Sequence, residues 1–295
     1  MTDTCVRRAW LTLGGLSVDL EDVSAGYFCS SLDLGYPDVR DVTSNRPDAD
    51  GIDDRTALMG GRVVSADITA LRGAGARIDA VASSFAPFMV PAARPTLHYI
   101  LDRPGAAERT LRLRASGYAW PIAGPDQRDI NLQWLAADPV AKDPNTQTVT
   151  AWAGTGASGG RTYPLTFNRI YPVGGSGPVT GIISTPGDVA AQPRLRFYGP
   201  ISGGYATIVF ASTTVRVGFV TAFIINAGTF VDVDTRAHTA YLMGDPAQSV
   251  ITSLDWARLT WPVIPPNTPA TLNLIGTNTS GVTQVQAIWN DGYLT

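Results

Sequence analysis

The sequence predicts a mainly β protein with two domains and one helix. Its 295 residues include 30 glycines and 21 prolines, which recur along the whole chain as they do between many short strands. Several stretches between these residues alternate apolar and polar side chains with the period of two that marks a half-buried strand. Because 295 residues exceed the usual size of one hydrophobic core, two domains are expected.

The alternation is clearest in five stretches. In three of them a pair of apolar residues two positions apart falls on one strand face, as Val215 and Val217 do. These stretches appear between the glycine and proline breaks, so the chain is predicted to be dominantly β. The stretches are RTLRLRASGYAW (109–120), ATIVF (206–210), TTVRVGF (213–219), ATLNLIG (270–276) and VTQVQAIW (282–289).

One stretch has helical spacing instead. In GARIDAVASSFAPFM (75–89) the apolar residues Ile78, Val81, Phe85 and Phe88 recur at intervals of three and four, and Pro87 marks the end. This helix lies between the strand-like stretches GGRVVSADITAL and PTLHYILDRP. The first domain is therefore predicted to be mainly β with one packed helix.

The domain boundary is predicted near residue 156, where four glycines crowd into WAGTGASGGRTYPLTF. This gives domains 1–155 and 156–295. From Thr166 to Thr295 the pattern predicts eight or nine strands and no helix, which favours a two-sheet sandwich of jelly-roll type. In the first domain, the long polar loop from Tyr36 to Thr56 is typical of a segment that a neighbour orders.

Composition and net charge limit the classes of partner that the protein is expected to bind. Charged residues make up 16% of the chain, well below the roughly 25% typical of soluble domains, so part of the surface is expected to be covered by partners. A net charge of −3 offers little electrostatic support for nucleic-acid binding. The most apolar stretch, Val217–Ile225, is about half the length of a membrane-spanning helix, and no signal peptide is predicted. Cys5 and Cys29 are interpreted as free thiols.

The stretch TFVDVDTRAHTAYL (229–242) concentrates acidic residues and a histidine. In an extended strand Asp232 and Asp234 share one face, with Cα atoms about 6.6 Å apart, a separation at which inverting glycosidases place their carboxyl groups. A hairpin is favoured, because two carboxylates without further context are a weak motif. In that interpretation Asp234 caps the turn, Asp232 is its solvated neighbour and His238 is a strand residue without metal-ligand partners. A glycan hydrolase using both aspartates is the weakest alternative.

No catalytic, cofactor-binding or metal-binding residue is predicted elsewhere. The second histidine, His98, falls in the other predicted domain, and a G-x-S-x-G nucleophile motif is absent. Acidic loops at GPDQRD (124–129) and RPDADGIDD (46–54) could attract Ca²⁺, but neither fits the twelve-residue calcium loop, so solvated loop acids are favoured. The chain is therefore predicted to be no enzyme and to need no cofactor.

Aromatic residues of the second half support two interpretations. Exposed together, they would form a platform for sugar rings; buried, they would fill a sandwich core or a subunit interface. Sequence alone leaves both open. The residues are Trp152, Tyr163, Tyr171, Trp256, Trp261 and Trp289.

A series of motifs resembles the distal tail proteins of long-tailed bacteriophages. The resemblance is to the form found in phages that infect actinobacteria, where the protein is often described as a minor tail protein. An A-x-DP motif ends at Pro139, a P-x5-GP motif ends at Gly199 and Pro200, and a vDT-x-x-R/H hairpin includes Asp234 and Thr235. Their order and spacing carry the resemblance over nearly the whole chain. The stretches, in order, are DINLQWLAADPVAKDP (129–144), GRTYPLTFNRIYP (160–172), QPRLRFYGPISGG (192–204), FVDVDTRAHTAYL (230–242) and AIWNDGYL (287–294).

The resemblance implies a structural role in the virion. Six copies would form a ring at the tail tip, with a split-barrel-like belt domain inside and a galectin-like sandwich outside. The implied partners are further copies, the tail tube protein, the tail hub, the tape-measure protein and, as a further candidate, tail fibres; the chain would be made in the host cytoplasm. Asp234, Thr235, Gly199 and Pro200 become candidate structural turn residues. The leading alternative is a carbohydrate-binding tail module that recognises the host envelope.

Overall fold

A computed structural model confirms the mainly β class. The strands form two compact units, described separately below. The structure describes residues 6–40, 43–45, 52–54, 58–71, 78–119, 127–153 and 180–294.

The first unit spans Met1–Pro144 and also takes in Tyr293–Thr295. It contains two antiparallel sheets, one helix (α1, Ile78–Phe85) and a 3-10 turn (Ala86–Met89). Its strands are β1 (Val6–Leu13), β2 (Leu16–Asp19), β3 (Tyr27–Asp33), β4 (Val39–Arg40), β5 (Thr43–Asn45), β6 (Ile52–Asp54), β7 (Leu58–Met59), β8 (Arg62–Leu71), β9 (Thr96–Leu101), β10 (Glu108–Arg112), β11 (Arg114–Ala119), β12 (Gln127–Ala136) and β13 (Ala141–Lys142).

The second unit spans Asn145–Gly292. Its strands are β14 (Gln147–Trp152), β15 (Thr180–Ile183), β16 (Arg194–Tyr198), β17 (Ile201–Phe210), β18 (Thr213–Gly218), β19 (Ile224–Ile225), β20 (Phe230–Asp234), β21 (Thr239–Leu242), β22 (Ala270–Thr277) and β23 (Gln284–Trp289), with a 3-10 turn at Ile251–Ser253. The last strand, β24 (Gly292–Tyr293), carries the chain back to the first unit.

One hydrophobic core joins the sheets of the first unit. The six-stranded sheet has the order β2-β1-β9-β10-β13-β24, and the four-stranded sheet has the order β11-β12-β8-β3. Alternate residues of both sheets point into one apolar cluster, as the period of two requires. Its fully buried members include Leu11, Leu97 and Leu111 from the first sheet and Ile68, Leu132 and Trp134 from the second.

The predicted helix is confirmed. It begins at Ile78 and ends at Phe85, and a 3-10 turn containing Pro87 continues to Met89. Proline has no N–H to continue the helical hydrogen bonds, which explains the end. Val81, Phe85 and Phe88 all lie in the core, so the helix packs on the sheets through the face that its spacing predicted.

The polar loop predicted between Tyr36 and Thr56 is partly strand. Its described portions pair as two short antiparallel ladders, β4 with β7 and β5 with β6, which continue the hairpin made by β3 and β8. The expectation that a neighbour orders this segment stays a prediction.

The second unit is a two-sheet sandwich. One sheet has the order β14-β23-β16-β20-β21, and the other has the order β15-β22-β17-β18 with β19 paired to β17. Valine, isoleucine, leucine and phenylalanine side chains from both sheets fill one core, in which the Phe197 and Phe219 rings meet edge to face at 5.2 Å. Four of the five alternating stretches predicted from the sequence form strands of this sandwich, and the fifth, RTLRLRASGYAW, divides at Leu113 into β10 and β11, which lie in different sheets of the first unit.

Other parts of the second unit cover the edge strands of both its sheets. At β18 the Gly218 carbonyl accepts a hydrogen bond from Asp255 N, and at β21 the Ala240 carbonyl accepts one from Val250 N. The remaining edges, β14 and β15, lie against each other, since a Cβ on Gly181 of β15 would overlap atoms of β14. Among its described residues, the edge strands of the sandwich are thus covered by other parts of the same unit.

The division of the chain differs from the predicted boundary between 155 and 156, which falls outside the described residues. Strand β14, assigned from sequence to the first domain, pairs along its length with β23 of the second unit. At the other terminus, Tyr293–Thr295 belong to the first unit. Alternation identifies strands but does not reveal which distant strand each one pairs with, so neither placement could be predicted from the sequence.

Candidate assembly site

The four-stranded sheet of the first unit has one apolar and one polar face. Along β8, Val64, Ala66, Ile68 and Ala70 are fully buried. The residues between them and their cross-strand neighbours form the other face, because side chains alternate along a strand. Its members are Val63, Ser65, Asp67, Thr69 and Leu71 of β8, Asp129, Asn131, Gln133 and Leu135 of β12, and Ser31 and Asp33 of β3.

Hydrogen bonds across the strands organise this polar face. Asp67 accepts from Ser31 Oγ at 2.8 Å and from Asn131 Nδ2 at 2.6 Å, while Thr69 Oγ1 donates to Asp129 at 2.9 Å. The polar groups satisfy one another within the sheet, so the face can lie against solvent without an apolar partner.

The same sheet ends in two long edge strands, β3 with seven residues and β11 with six. Within the described ranges, only one strand pairs with each of them, β8 with β3 and β12 with β11. The edges of the six-stranded sheet are shorter, with four residues in β2 and two in β24. Long unpaired edges are templates for pairing with another chain, whereas short ones resist it.

A groove lies beside each of these long edges. The groove along β11 has a volume of about 550 Å³ and is lined on one side by Met89 to Pro91 and on the other by Ala115 to Tyr118. The groove along β3 has a volume of about 400 Å³ and runs between Cys29–Asp33 and the start of β1, with Glu21 at its wall. Tyr118, which lines the first groove, is 60% exposed.

In the second unit, Asp234 closes the hairpin between β20 and β21. Its Oδ1 accepts hydrogen bonds from the backbone N–H groups of Arg236 at 2.9 Å and Ala237 at 2.8 Å. An aspartate that binds the backbone two and three residues ahead is a standard turn device. The structure thus places Asp234 where the hairpin interpretation expects it.

The interpretation of Asp232 as a solvated residue is wrong. Asp232 is only 7% exposed and lies opposite Arg196 in the β16–β20 register. Arg196 Nε and Nη2 donate to its two carboxylate oxygens at 2.7 and 2.8 Å, and this bidentate contact raises the pKa of Arg196. Sequence could not reveal the pair, because 36 residues separate its members. Asp232 and Asp234 both make structural contacts.

The other turn candidates also make structural contacts. Thr235 is fully buried and donates from Oγ1 to the Pro193 carbonyl at 2.8 Å. A Cβ on Gly199 would overlap the Ile225 and Asn226 carbonyls, so this close backbone approach requires glycine. The peptide bond between Gly199 and Pro200 is cis.

His238 is a turn residue, which corrects its placement on the returning strand. Its backbone has a positive φ of 56°, and its ring stacks on Trp261 at a centroid distance of 4.4 Å and an interplanar angle of 9°. Trp256 meets Trp261 edge-on at 6.3 Å and is itself 55% exposed. We call these three side chains the aromatic cluster. Of the other aromatic candidates, Trp289 is buried, and Tyr163 and Tyr171 lie outside the described residues.

The other residues considered for catalysis or metal binding, His98 and Cys29, lie in surroundings that favour a structural role. His98 is hydrogen-bonded on both ring nitrogens, to Glu108 at 2.7 Å and to Thr12 at 2.9 Å. Burial raises the pKa of the Cys29 thiol to about 11, which makes it a poor nucleophile at neutral pH. In the described part of the chain, no group of three or more His, Cys, Asp or Glu side chains is placed to hold a metal ion. The acidic loops 124–129 and 46–54, predicted to be solvated, fall mostly outside the described residues.

The end of the chain is anchored in the first unit. Arg62 is 1% exposed and donates from Nη1 to the Leu294 carbonyl at 3.0 Å, while the Arg109 guanidinium lies 4.1 Å from the centre of the Tyr293 ring. Burial lowers the pKa of Arg62, a sign that its charge is poorly solvated. The last residues therefore complete the surroundings of a buried charge.

No protein-family model matches the sequence, and a search among curated proteins finds no match. Among solved structures, the chain is similar to the crystal structure of the Dit protein of phage SPP1, described as a paradigm of the hub adsorption apparatus in phages that infect Gram-positive bacteria. The match has a TM-score of 0.60 and 12% identity, and it covers 97% of this chain and 99% of the other. This chain has the fold of the SPP1 Dit protein. The resemblance to phage distal tail proteins is thus confirmed at the level of the Dit fold.

Two structures of the phage p2 baseplate in its activated conformation, one with calcium and one with strontium, also match. Their TM-score is 0.45, with 8% and 9% identity over 95% of this chain and 97% of theirs, which is too low to carry an argument. No helix within the described ranges has the length and apolar character needed to cross a lipid bilayer.

Proposed function

We propose that this protein is a structural component of a phage tail tip, a distal tail protein whose copies, six in number, close into a ring that joins the tail tube to the hub. The observation that carries the proposal is the Dit fold, which extends over 97% of the chain and so includes both units. The surroundings of Asp232, Asp234 and His98 agree with a structural role, since each is hydrogen-bonded to a turn or to a neighbouring strand.

The four-stranded sheet supports the ring. Its two long edges, β3 and β11, lie on opposite sides of one sheet, so β11 of one copy can pair with β3 of the next. Such head-to-tail contacts close into a ring when the rotation between copies divides a full turn. Six sheets of four strands would place about 24 strands around an opening roughly 50 Å across, at about 4.8 Å between strands and a tilt of about 40°.

The polar face of the sheet suits the inside of that ring. Its cross-strand hydrogen bonds leave it hydrophilic, whereas the opposite face is covered by the core of the first unit. The tube protein, the hub and the tape-measure protein are the proposed partners, with tail fibres as a further candidate. The proposed location is the tail tip of the virion, after synthesis in the host cytoplasm, and no enzymatic step is assigned.

Light scattering and negative-stain imaging of the purified full chain test this proposal. The expected particle has six times the mass of the chain and an open centre. A species that stays monomeric at all concentrations, including in mixtures with the cognate tube protein, would contradict it.

A carbohydrate-binding tail module is the second candidate, and the aromatic cluster favours it. Sugar rings stack on exposed indole faces, and Trp256 offers one beside the Asp255 carboxylate and the Arg258 guanidinium, which lie 3.9 Å apart and could bond to hydroxyls. A glycan array with host envelope polysaccharide would test it. Binding that is lost in Trp256→Ala but kept in Val263→Ala, an exposed apolar control, would support this function; no binding by the wild-type chain would exclude it.

A further inference from the structure

We propose that the segment that extends the β3–β8 hairpin in one copy packs into the apolar groove along β11 of the next copy. We call this segment the neck; it consists of residues 35–40 and 58–61 and leads from the sheet to the ladder of β5 and β6. The partner is a second copy of this chain, and the inference rests on the proposed ring. Its test separates failure of this contact from failure of the ring.

The neck exposes several large apolar side chains. Tyr36 and Val39 are exposed on its first strand. Leu58 and Met59 are exposed on its second strand, where Met59 lies directly opposite Val39. Within the described residues the neck is only two strands wide, and such a ladder has no core of its own in which to bury them. A group of exposed apolar side chains of this kind marks a surface that binds a partner.

The groove along β11 offers a matching surface. Its volume is about 550 Å³, and the described residues that line it carry no charge. Met89 to Pro91 form one wall, in which Val90 is exposed. In the other wall Gly117 has no side chain, which leaves room next to Tyr118. An uncharged groove of this size suits large apolar side chains of a partner.

The hydrogen bonding of β8 fixes the order of the strands around the ring. Leu71 lies on the polar face, and its N–H donates to the Gly26 carbonyl, just before β3, at 2.9 Å. In a strand of L-amino acids that runs upward, a residue whose side chain points at the viewer directs its N–H to the right. Because β8 runs opposite to β3, a viewer of the polar face with β3 running upward sees β3 on the left and β11 on the right.

The tilt of the strands then displaces each neighbour in one direction. Strands of a closed barrel lean to the right when seen from outside, because each strand has a right-handed twist. Seen from the polar face inside the ring they lean to the left, so the neighbour on the β11 side is displaced downward along the strands. Four strands about 4.8 Å apart with a tilt of about 40° give a displacement of about 16 Å, or about five residues.

This displacement brings the neck of the neighbour beside β11. Without it, Asp33 of the neighbour would lie level with Gly117, because the registers through β8 and β12 connect the two positions. Val39 lies six residues beyond Asp33, and six residues also separate their partners on the opposite strand, so the neck extends the hairpin in register. A downward shift of about five residues places Val39 within about one residue of Gly117, and Tyr36 within about one residue of Tyr118. Strand β3 of the neighbour then lies further down the same edge.

At this position the neck and the groove complement each other. Tyr36 meets the wall formed by Met89 to Pro91, and Val39 passes over Gly117, where no side chain blocks it. Each copy contributes its neck to one neighbour and its groove to the other, which is a head-to-tail contact. The apolar side chains that a single copy leaves exposed are therefore covered around the whole ring.

Chemical crosslinking tests the contact in full chains whose own two cysteines are replaced by serine. One chain carries Val39→Cys, a second carries Val90→Cys, and a short bismaleimide links nearby thiols in rings assembled from both. We expect a covalent dimer from the mixture and none from either chain alone. Leu16→Cys in place of Val39→Cys is the matched control, since Leu16 is an exposed apolar residue at the start of β2 in the same unit, and it should give no dimer.

Removal of the tyrosine ring tests whether the contact holds the ring together. Tyr36→Ser should raise the concentration for half-assembly, measured by light scattering, by at least about tenfold, because the apolar surfaces of the neck and the groove then stay in water. Leu16→Ser should leave it unchanged, and thermal melts show that each variant is folded. Rings that give no dimer in the mixture, or folded Tyr36→Ser chains that assemble like the wild type, would overturn the contact while leaving the ring. A wild-type chain that never forms rings would overturn both.

Discussion

The two units of this protein treat their strand edges in opposite ways. In the second unit, segments outside the sheets cover the edges β18 and β21, and β14 and β15 lie against each other. In the first unit, the four-stranded sheet leaves β3 and β11 without a second partner among the described residues, and each runs beside a groove. Natural proteins normally cover long edges, so the open pair points to a use in assembly.

This contrast suggests different roles for the two units. The sandwich has its own core, and its described edge strands are covered. The first unit has the polar sheet face, the long edges and the anchored chain end. If this division holds, a substitution that destabilises one unit should leave the stability of the other unit unchanged. The variants below test this, from the largest expected effect to the smallest.

The largest effect should come from removing a core side chain of each unit. Trp134→Ala empties a fully buried site in the four-stranded sheet and should destabilise the first unit by about 3 to 5 kcal/mol. Calorimetry should show only the first unit melting earlier, together with loss of assembly. Phe197→Ala is the counterpart in the second unit and should lower its melting temperature while rings still form. Loss of rings in both variants would break the proposed division of labour.

The next effect tests what holds the sandwich together. Asp232→Asn keeps the shape of the side chain but removes its charge, so Arg196 loses its ionic partner in a largely buried position. We expect a loss of about 2 to 3 kcal/mol in the free energy of unfolding, measured by chemical denaturation. The double variant Arg196→Met with Asp232→Leu should recover part of that loss. An unchanged denaturation midpoint for Asp232→Asn would mean that the pair contributes nothing.

Two lysine substitutions test whether the edge strand β11 takes part in assembly and the covered edge strand β15 does not. Tyr118→Lys places a charge beside the β11 groove and should weaken assembly about tenfold, or about 1.4 kcal/mol per contact. Ile182→Lys changes a similarly exposed apolar residue, 68% against 60%, on the covered edge strand β15. It should leave the concentration dependence of ring formation as it is. Equal weakening by both would remove the distinction between the edges.

The smallest effect concerns the hairpin turn. Asp234→Ala removes the acceptor of two backbone hydrogen bonds and should cost on the order of 1 kcal/mol, while Asp234→Asn, which keeps an acceptor oxygen, should cost less. Thermal melts of the full chain would report both. Rings should form in either case, because the turn belongs to the sandwich; no change in either melt would refute the turn role.

The sequence predicted features that depend on near neighbours and missed those that depend on distant ones. The strands of the alternating stretches and the helix ending near Pro87 follow from spacing within ten or fifteen residues, and the structure has them, whereas the short strands β4 to β7 lie largely in a segment predicted as a loop. The pairing of β14 with β23 and of Asp232 with Arg196 depends on which strands lie side by side. The same limit applies to the candidate assembly site, since no local pattern marks β3 and β11 as edges of one sheet.

Hydrogen exchange measured by mass spectrometry, on the ring and on a dissociated sample of the same chain, tests the central claim most directly. Amides of an unpaired edge exchange with solvent, and pairing with a neighbour protects them. We predict that assembly slows exchange in Tyr27–Asp33 and Arg114–Ala119 and leaves Thr180–Ile183 and Thr213–Gly218 of the sandwich unchanged. Protection confined to the sandwich strands, with β3 and β11 exchanging equally in both samples, would contradict the assignment of these edges to ring closure.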